Sequence, residues 1–129
     1  MKIEDIFSDL PELTTERLLL RKLTLADTDD RHHFLSDELV TRFLPFEAHK
    51  TKEETEAGIR YYLDLYAKGQ VSPWGIVAKE TGRLIGTIGF TSWNPRHGKG
   101  EIFYYIAREA WGKGIVVEAA RAVIQFGFD

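Results

Sequence analysis

The segment Trp111-Gly112-Lys113-Gly114 constrains this chain more than any other feature, because of what flanks it. Before it, Glu101-Ile-Phe-Tyr-Tyr-Ile-Ala107 is rich in β-branched and aromatic residues, the composition of a strand. After it, Ile115 to Phe126 is apolar except for Glu118, Arg121 and Gln125. Those three stand at i, i+3 and i+7 and form one polar stripe on a helix otherwise suited to burial. Strand, glycine-spaced turn and helix together aim unpaired backbone N–H groups, and the positive end of a helix dipole, at an anion. Glycine lets a phosphate approach the backbone closely, and Lys113 adds a cation at the mouth. A Gly-x-Gly turn alone is often only a tight connection. This one is not a nucleoside-triphosphate loop, since no Gly-Lys-Ser/Thr follows at the required spacing. Nor is it the dinucleotide fingerprint, which needs a third glycine.

The remaining composition fits one domain spanning residues 1–129, long enough to bury one core. At 43% hydrophobic and 29% charged residues the chain has ordinary globular content. No apolar run reaches the length of a membrane span, and the N-terminus lacks the pattern of a signal peptide. The chain contains no cysteine, which excludes a disulfide framework and thiolate chemistry. The net charge of −3 offers no general attraction to nucleic acid and mildly suits amine or basic-peptide substrates. A cytoplasmic protein with no membrane and no nucleic-acid partner is expected.

Along the chain there is neither a repeat nor a low-complexity linker. Ile3, Ile6, Phe7 and Leu10 have helical spacing before Pro11 and suggest a short arm packed on the body. Residues 16–22 form a first strand, with Leu18 to Leu20 unbroken and suited to burial on both faces. Thr24, with Asp27 three residues on, caps a helix to about Leu35, and a short piece follows from Glu38 to Phe43. Thr51 and Glu54 form a capping box for a helix whose apolar face is Ile59, Tyr62, Leu63 and Tyr66, ended by Gly69. Residues 73–79 and 84–91 alternate and are joined as a hairpin through Glu80-Thr81-Gly82-Arg83. A polar loop from Asn94 to Gly100 leads to the strand at 101–107.

With its flanks, the glycine segment resembles the acetyl-CoA-binding motif of the GCN5-related N-acetyltransferases (GNAT). That family's pattern is Gln/Arg-x-x-Gly-x-Gly/Ala between a strand and a helix, and here it falls on Trp111-Gly112-Lys113-Gly114-Ile115-Val116. The ribosomal-protein N-acetyltransferase branch is most similar. Its members carry a Trp-Gly-Lys-Gly-like turn followed by a Glu-Ala helix, matched by Glu118-Ala119-Ala120-Arg121-Ala122-Val123-Ile124-Gln125-Phe126. The opening Leu13-Thr14-Thr15-Glu16-Arg17-Leu18-Leu19-Leu20-Arg21 is also similar to that branch. Trp111 departs from the Gln/Arg of the pattern, and Val116 replaces its last Gly/Ala with a branched side chain.

The resemblance implies an α/β fold: a mixed, mostly antiparallel sheet flanked by helices, the acyl-CoA N-acyltransferase architecture. It implies acetyl transfer from acetyl-CoA, without a metal, to a primary amine such as a protein N-terminus. It assigns cofactor contacts to Ile106, Ala107, Arg108, Trp111, Gly112, Lys113, Gly114, Ile115, Val116 and Val117. The family fold continues past this helix with a strand, a helix and two closing strands, so a C-terminally incomplete fold is expected. The strand carrying Phe103, Tyr104, Tyr105 and Ile106 would then be an open edge that invites pairing, and a homo-oligomer is expected. Two alternatives stay open: an inactive self-associating fragment, and a CoA-binding module without transfer.

An amine attacking a thioester must lose a proton, and Glu101, opening the strand that feeds the turn, matches the position of a catalytic glutamate in several family members. As a charge at a strand start it is equally suited to a solvated end. Tyr104 and Tyr105 point to opposite faces, one of them available to an acceptor channel, with core packing as the plain alternative. His32 and His33 are adjacent and do not share a helical face, which argues against a metal pair. His97 sits in a basic loop that precedes a strand and suits a hairpin tip. Glu53, Glu54 and Glu56 favour a helix start and double as a wall for a cationic acceptor, whereas Trp74 and Trp93 suit core or rim.

Overall fold

The computed structural model describes residues 10–42, 44, 46–94 and 99–128, with the backbone alone at 91–94, 99–101 and 127–128. Of the arm expected at Ile3 to Leu10 only Leu10 falls within it, and that residue is buried. His97 lies outside the described residues, as does the Trp93 side chain.

The strands are β1 (Leu13–Thr14), β2 (Leu18–Arg21), β3 (Trp74–Ala78), β4 (Leu84–Asn94) and β5 (Lys99–Ile106). They form one sheet in chain order, and every pair is antiparallel. The helices are α1 (Thr28–Leu35), α2 (Glu38–Thr41), α3 (Lys52–Ala67) and α4 (Ile115–Phe128). This is the α/β arrangement expected, a sheet flanked by helices.

Alternation along the strands divides the core in two. Leu18, Leu20, Trp74, Ile76, Ile88 and Ile106 meet Ile115, Ala119 and Val123 of α4. Between them, Leu19, Val77, Leu84 and Tyr105 meet Phe34 and Leu35 of α1 and Val40 of α2. The unbroken Leu18 to Leu20 is therefore used on both faces. Full burial of each such side chain is worth about 1.5–3 kcal/mol.

Local chemistry sets the ends of elements. The Thr51 hydroxyl accepts the Glu54 N–H at 3.3 Å, the half of the expected capping box that the structure records. The Asp27 carboxylate accepts the Thr24 N–H at 2.8 Å and also takes both Arg21 Nη groups at 2.8 Å. Burial works to raise the Asp27 pKa, but Arg21 and Thr24 hold it below the usual carboxylate range. The buried Tyr66 hydroxyl accepts the Leu23 N–H and donates to Pro73 C=O, tying α3 to the exit of β2 and the entry of β3. Desolvation pushes that phenol up to about 12.

Three expectations change. The first strand is shorter than residues 16–22, and the two-residue β1 before it was not expected, since two residues cannot show alternation. The second helical piece, expected from Glu38 to Phe43, is described only as Glu38–Thr41. The polar loop expected from Asn94 to Gly100 is partly strand: Asn94 pairs with Lys99, Trp93 with Gly100 and Ser92 with Glu101. Backbone pairing carried the hairpin on through polar residues, where hydropathy gives no signal.

Candidate functional site

Gly112 and Gly114 have φ of 77° and 73°, in the left-handed region where a side chain is strained. That double reversal takes the chain from β5, through a single turn at Arg108–Ala110, into α4. The first bond of α4 runs from the Glu118 N–H to Gly114 C=O at 3.1 Å. The N–H groups of Ile115, Val116 and Val117 thus precede the helical ladder and carry the positive end of the α4 dipole. A Cβ at Gly112 would meet nothing within 4 Å, so the face of the turn is open.

Residues just before β2 brace the turn. Arg17 donates from Nη1 to Lys113 C=O at 2.9 Å and from Nε to Glu118 Oε1 at 2.6 Å. The Arg17 N–H donates to the other carboxylate oxygen at 2.9 Å, and the Thr15 hydroxyl donates to the same oxygen. Burial works to raise the Glu118 pKa, but Thr15 and Arg17 outweigh it and hold the carboxyl below its ordinary value. Glu118 is therefore a strut and not a solvated member of a polar stripe. Arg121 and Gln125 are exposed as expected, but so are Val117 and Ile124, so α4 is less fully buried than its composition implies.

A groove of about 430 Å³ opens beside the turn, lined by Val40, Leu44, Tyr104, Tyr105, Ile106, Trp111, Gly112 and Val116. It follows the free edge of β5, which pairs only with β4 among the described strands. A wider cleft of about 850 Å³ meets it at Leu44 and is lined by residues of the 36–50 segment, including Glu38, Phe46, Glu47 and His49. Phe46 stands edge-on to Tyr105, with ring centroids 6.2 Å apart, so the two spaces share an aromatic wall.

Behind that wall lies a buried polar network. Arg31, only 3% exposed, donates to the Tyr105 hydroxyl at 3.1 Å and to Thr55 C=O at 3.4 Å, and lies over the Tyr62 ring. The buried Thr55 hydroxyl contacts His32 Nδ1 at 3.0 Å and His49 Nδ1 at 2.8 Å. Burial first, then the Arg31 charge, lowers the His49 pKa.

The residues singled out in sequence fall into place as follows. Trp111 is 46% exposed, with its indole N–H on Ile106 C=O at 3.2 Å. The Ala107 N–H is taken by Ile85 C=O at 2.7 Å. Arg108 pairs with Asp37 at 3.0 Å, and Ile115 is buried in the core. Lys113 is exposed at the turn, and Val116 lines the groove. Glu101 is paired through its backbone with Ser92, and its side chain lies outside the described residues. Tyr104 is 52% exposed and Tyr105 buried, on opposite faces. Of the four residues expected to burden an open edge, Tyr105 and Ile106 are buried, Phe103 packs against the second core, and only Tyr104 is exposed. His32 and His33 part company: His33 reaches Glu109, and no metal-binding cluster exists among the described residues. Sequence reasoning missed the Arg17 brace and the Arg31, His49 and Thr55 network. Arg17 and Glu118 are 101 positions apart, and no local pattern links them.

Comparison with known proteins agrees with this geometry. The acetyltransferase (GNAT) domain model matches residues 17–129. The uncharacterized N-acetyltransferase p20 of Bacillus licheniformis is 37% identical over 116 residues, covering 90% of this chain and 65% of its own length. YoaA of Bacillus subtilis, also an uncharacterized N-acetyltransferase, is 35% identical over 92% of this chain and 67% of its own. This chain thus spans about two thirds of these relatives. The crystal structure of a GNAT-family acetyltransferase from Bacillus anthracis superposes with a TM-score of 0.78 at 27% identity, covering 92% of this chain and 66% of that one. RimL, a ribosomal L7/L12 α-N-protein acetyltransferase solved with coenzyme A, shares the fold at 17% identity with a TM-score of 0.71, over 89% of this chain and 66% of its own. With its Gly-x-Gly turn, antiparallel sheet and family match in agreement, this chain belongs to the GNAT acetyltransferase family.

Proposed function

We propose that this protein transfers an acetyl group from acetyl-CoA to a primary amine, with a protein N-terminal amine as the acceptor class. The observation that carries the reading is the turn: two left-handed glycines expose the first N–H groups of α4 beside a groove along β5. In this reading Gly112 to Val117 hold the pyrophosphate through backbone N–H groups, aided by Lys113, while Ile106 to Arg108 and Trp111 flank the thioester arm. The acceptor class is supported by RimL, whose name specifies an α-N-protein substrate. Glu101, on β5, is the proposed base, and no metal takes part. The site of action in this reading is the cytoplasm; among the described residues no helix is long and apolar enough to cross a membrane.

The test is thiol release from acetyl-CoA against a panel of amines and N-terminal peptides, with CoA affinity measured by calorimetry. CoA binding without release on any acceptor would leave a CoA-binding module. No CoA binding by the folded protein would overturn the reading. A second property, homo-oligomer formation by edge pairing of β5, is favoured by its single partner among the described strands and its exposed Tyr104. Light scattering that reports a monomer at tens of micromolar would remove it.

A further inference from the structure

The His49–Thr55–His32 chain points to a proton acceptor that the family resemblance does not supply. We propose that His49 takes the proton of the acceptor amine in the cleft, and that Thr55 and His32 hold its ring in the tautomer that can do so. The proposal rests on the acetyl-transfer reading above.

One hydrogen decides the polarity of this chain. The Thr55 hydroxyl is buried and lies within hydrogen-bond distance of two imidazole Nδ1 atoms, His32 at 3.0 Å and His49 at 2.8 Å. A hydroxyl donates once and accepts twice. If its hydrogen goes to His32 Nδ1, it accepts from His49 Nδ1–H, and His49 Nε2 is left bare. That orientation is the one proposed here, and His49 lines the cleft. The His49 ring is further held by Phe46, with centroids 5.8 Å apart, and its backbone by its own N–H on Leu35 C=O at 2.8 Å.

Several charged groups surround this ring. Arg31 and His32 face it from α1 and disfavour its protonation, Glu54 on α3 favours it, and Glu38, Arg42, Glu47 and Lys50 line the same space. The net effect lowers its pKa, so the base form predominates at neutral pH. The cleft carries the carboxylates Glu38 and Glu47 and the cations Arg42 and Lys50, so its lining has no net charge. In the step itself, the ammonium proton moves to His49 Nε2 and the freed lone pair attacks the thioester carbonyl; the adduct then sheds its second nitrogen proton to Glu101, the base proposed above, as the C–S bond breaks and CoA leaves as the thiolate. The imidazolium keeps Nδ1–H on Thr55, and its Nε2 proton leaves to water.

Two readouts test this. Nitrogen-15 NMR of the histidine rings needs no turnover: His49 should carry its proton on Nδ1 at neutral pH, and Thr55→Val should abolish that preference. A wild-type His49 protonated on Nε2 overturns the proposal even if acetyl transfer is confirmed. In kinetics, His49→Gln should lower kcat about 10²-fold and remove the fall in rate on acidification. Thr55→Val should lower kcat about tenfold with CoA affinity unchanged, and Thr55→Ser should restore it. An unchanged pH–rate profile in a folded His49→Gln protein also overturns it. Absence of transfer by wild type on every amine would defeat the acetyl-transfer reading, while the NMR result still decides the tautomer.

Discussion

The turn at 111–114 and the cleft at 36–50 are built by different physics. The turn is a backbone device: two positive φ angles and the unpaired N–H groups of a helix start. Arg17 and Glu118 brace it from outside. The cleft is a side-chain device. Its shape rests on contacts between α1, the start of α3 and β5, made by Arg31, His32, Thr55 and Tyr105. A backbone device recurs wherever the same fold binds the same anion. A side-chain device is free to change with the acceptor, so in the proposed reaction the cleft is the region that would set specificity.

The sharpest break of that contrast lies on β5, which feeds both regions. If Glu101 is the base of the proposed reaction, Glu101→Gln should lower turnover about 10²-fold at neutral pH, about 2.7 kcal/mol, while CoA affinity stays near wild type. A pH–rate profile identical in the two proteins would make Glu101 structural and leave His49 as the cleft's proton acceptor. If both single variants lose the same limb of the profile, the two groups act in series.

Next in size is the wall between the two spaces. Tyr105→Phe removes the hydroxyl that accepts from Arg31 Nη2 at 3.1 Å. Arg31 is buried, and its Nε already finds no hydrogen-bond partner among the described residues. Stripping one more acceptor should cost about 1–3 kcal/mol of stability. Urea unfolding checks this, with the midpoint falling at constant m. Undiminished stability would mean that the network is ornamental and that the cleft is held by its aromatic contacts alone.

The contrast also explains how much was legible in the sequence. The turn was, because φ > 0 is a demand that glycine meets and other residues meet poorly, and the flanking periodicities show where strand ends and helix begins. The same holds for Leu18 to Leu20, whose unbroken run states that both faces are covered, and for Tyr104 and Tyr105, whose adjacency places them on opposite faces. The cleft was not. His49 stands among Ala48 and Lys50 with no local pattern, and its partner Thr55 looked like an ordinary residue in the first turn of an amphipathic helix. Arg31 carries no sequence signal of burial, yet it is only 3% exposed. Such placements come from long-range packing, and a single sequence has no local signature for them.

Third, Gly114→Val attacks the turn directly. A branched residue at φ 73° strains the backbone by about 1–2 kcal/mol. Its side chain also points toward Arg17, whose Nη2 lies 3.6 Å from where a Cβ would stand. CoA affinity should fall at least tenfold, about 1.4 kcal/mol. Calorimetry on the folded variant decides it, and unchanged affinity would move the anion site away from this turn. Because the cleft does not touch Gly114, the His49 tautomer should be the same in this variant as in wild type.

The smallest effect concerns the brace, and it has a sign that can be worked out. The Glu118 carboxyl has a folded-state pKa below its ordinary value: burial opposes this, but the Thr15 hydroxyl, the Arg17 N–H and the Arg17 guanidinium prevail. A depressed acid pKa means that the unfolded chain binds the proton more tightly, so the brace adds stability at every pH above the ordinary glutamate value. That contribution is lost as pH falls from about 4.3 through the lower folded value. Arg17 is about half exposed, with side-chain accessibility of 46%, so solvent screening limits the pair to about 1 kcal/mol or less. Glu118→Gln should therefore unfold slightly more easily at neutral pH and lose less than wild type on acidification below pH ~4. It should also loosen the Arg17 hold on Lys113 C=O and weaken CoA binding by less than Gly114→Val does. If the two stability curves run parallel down to the lowest pH at which both fold, Glu118 is not titrating with the fold, and the turn stands without its strut.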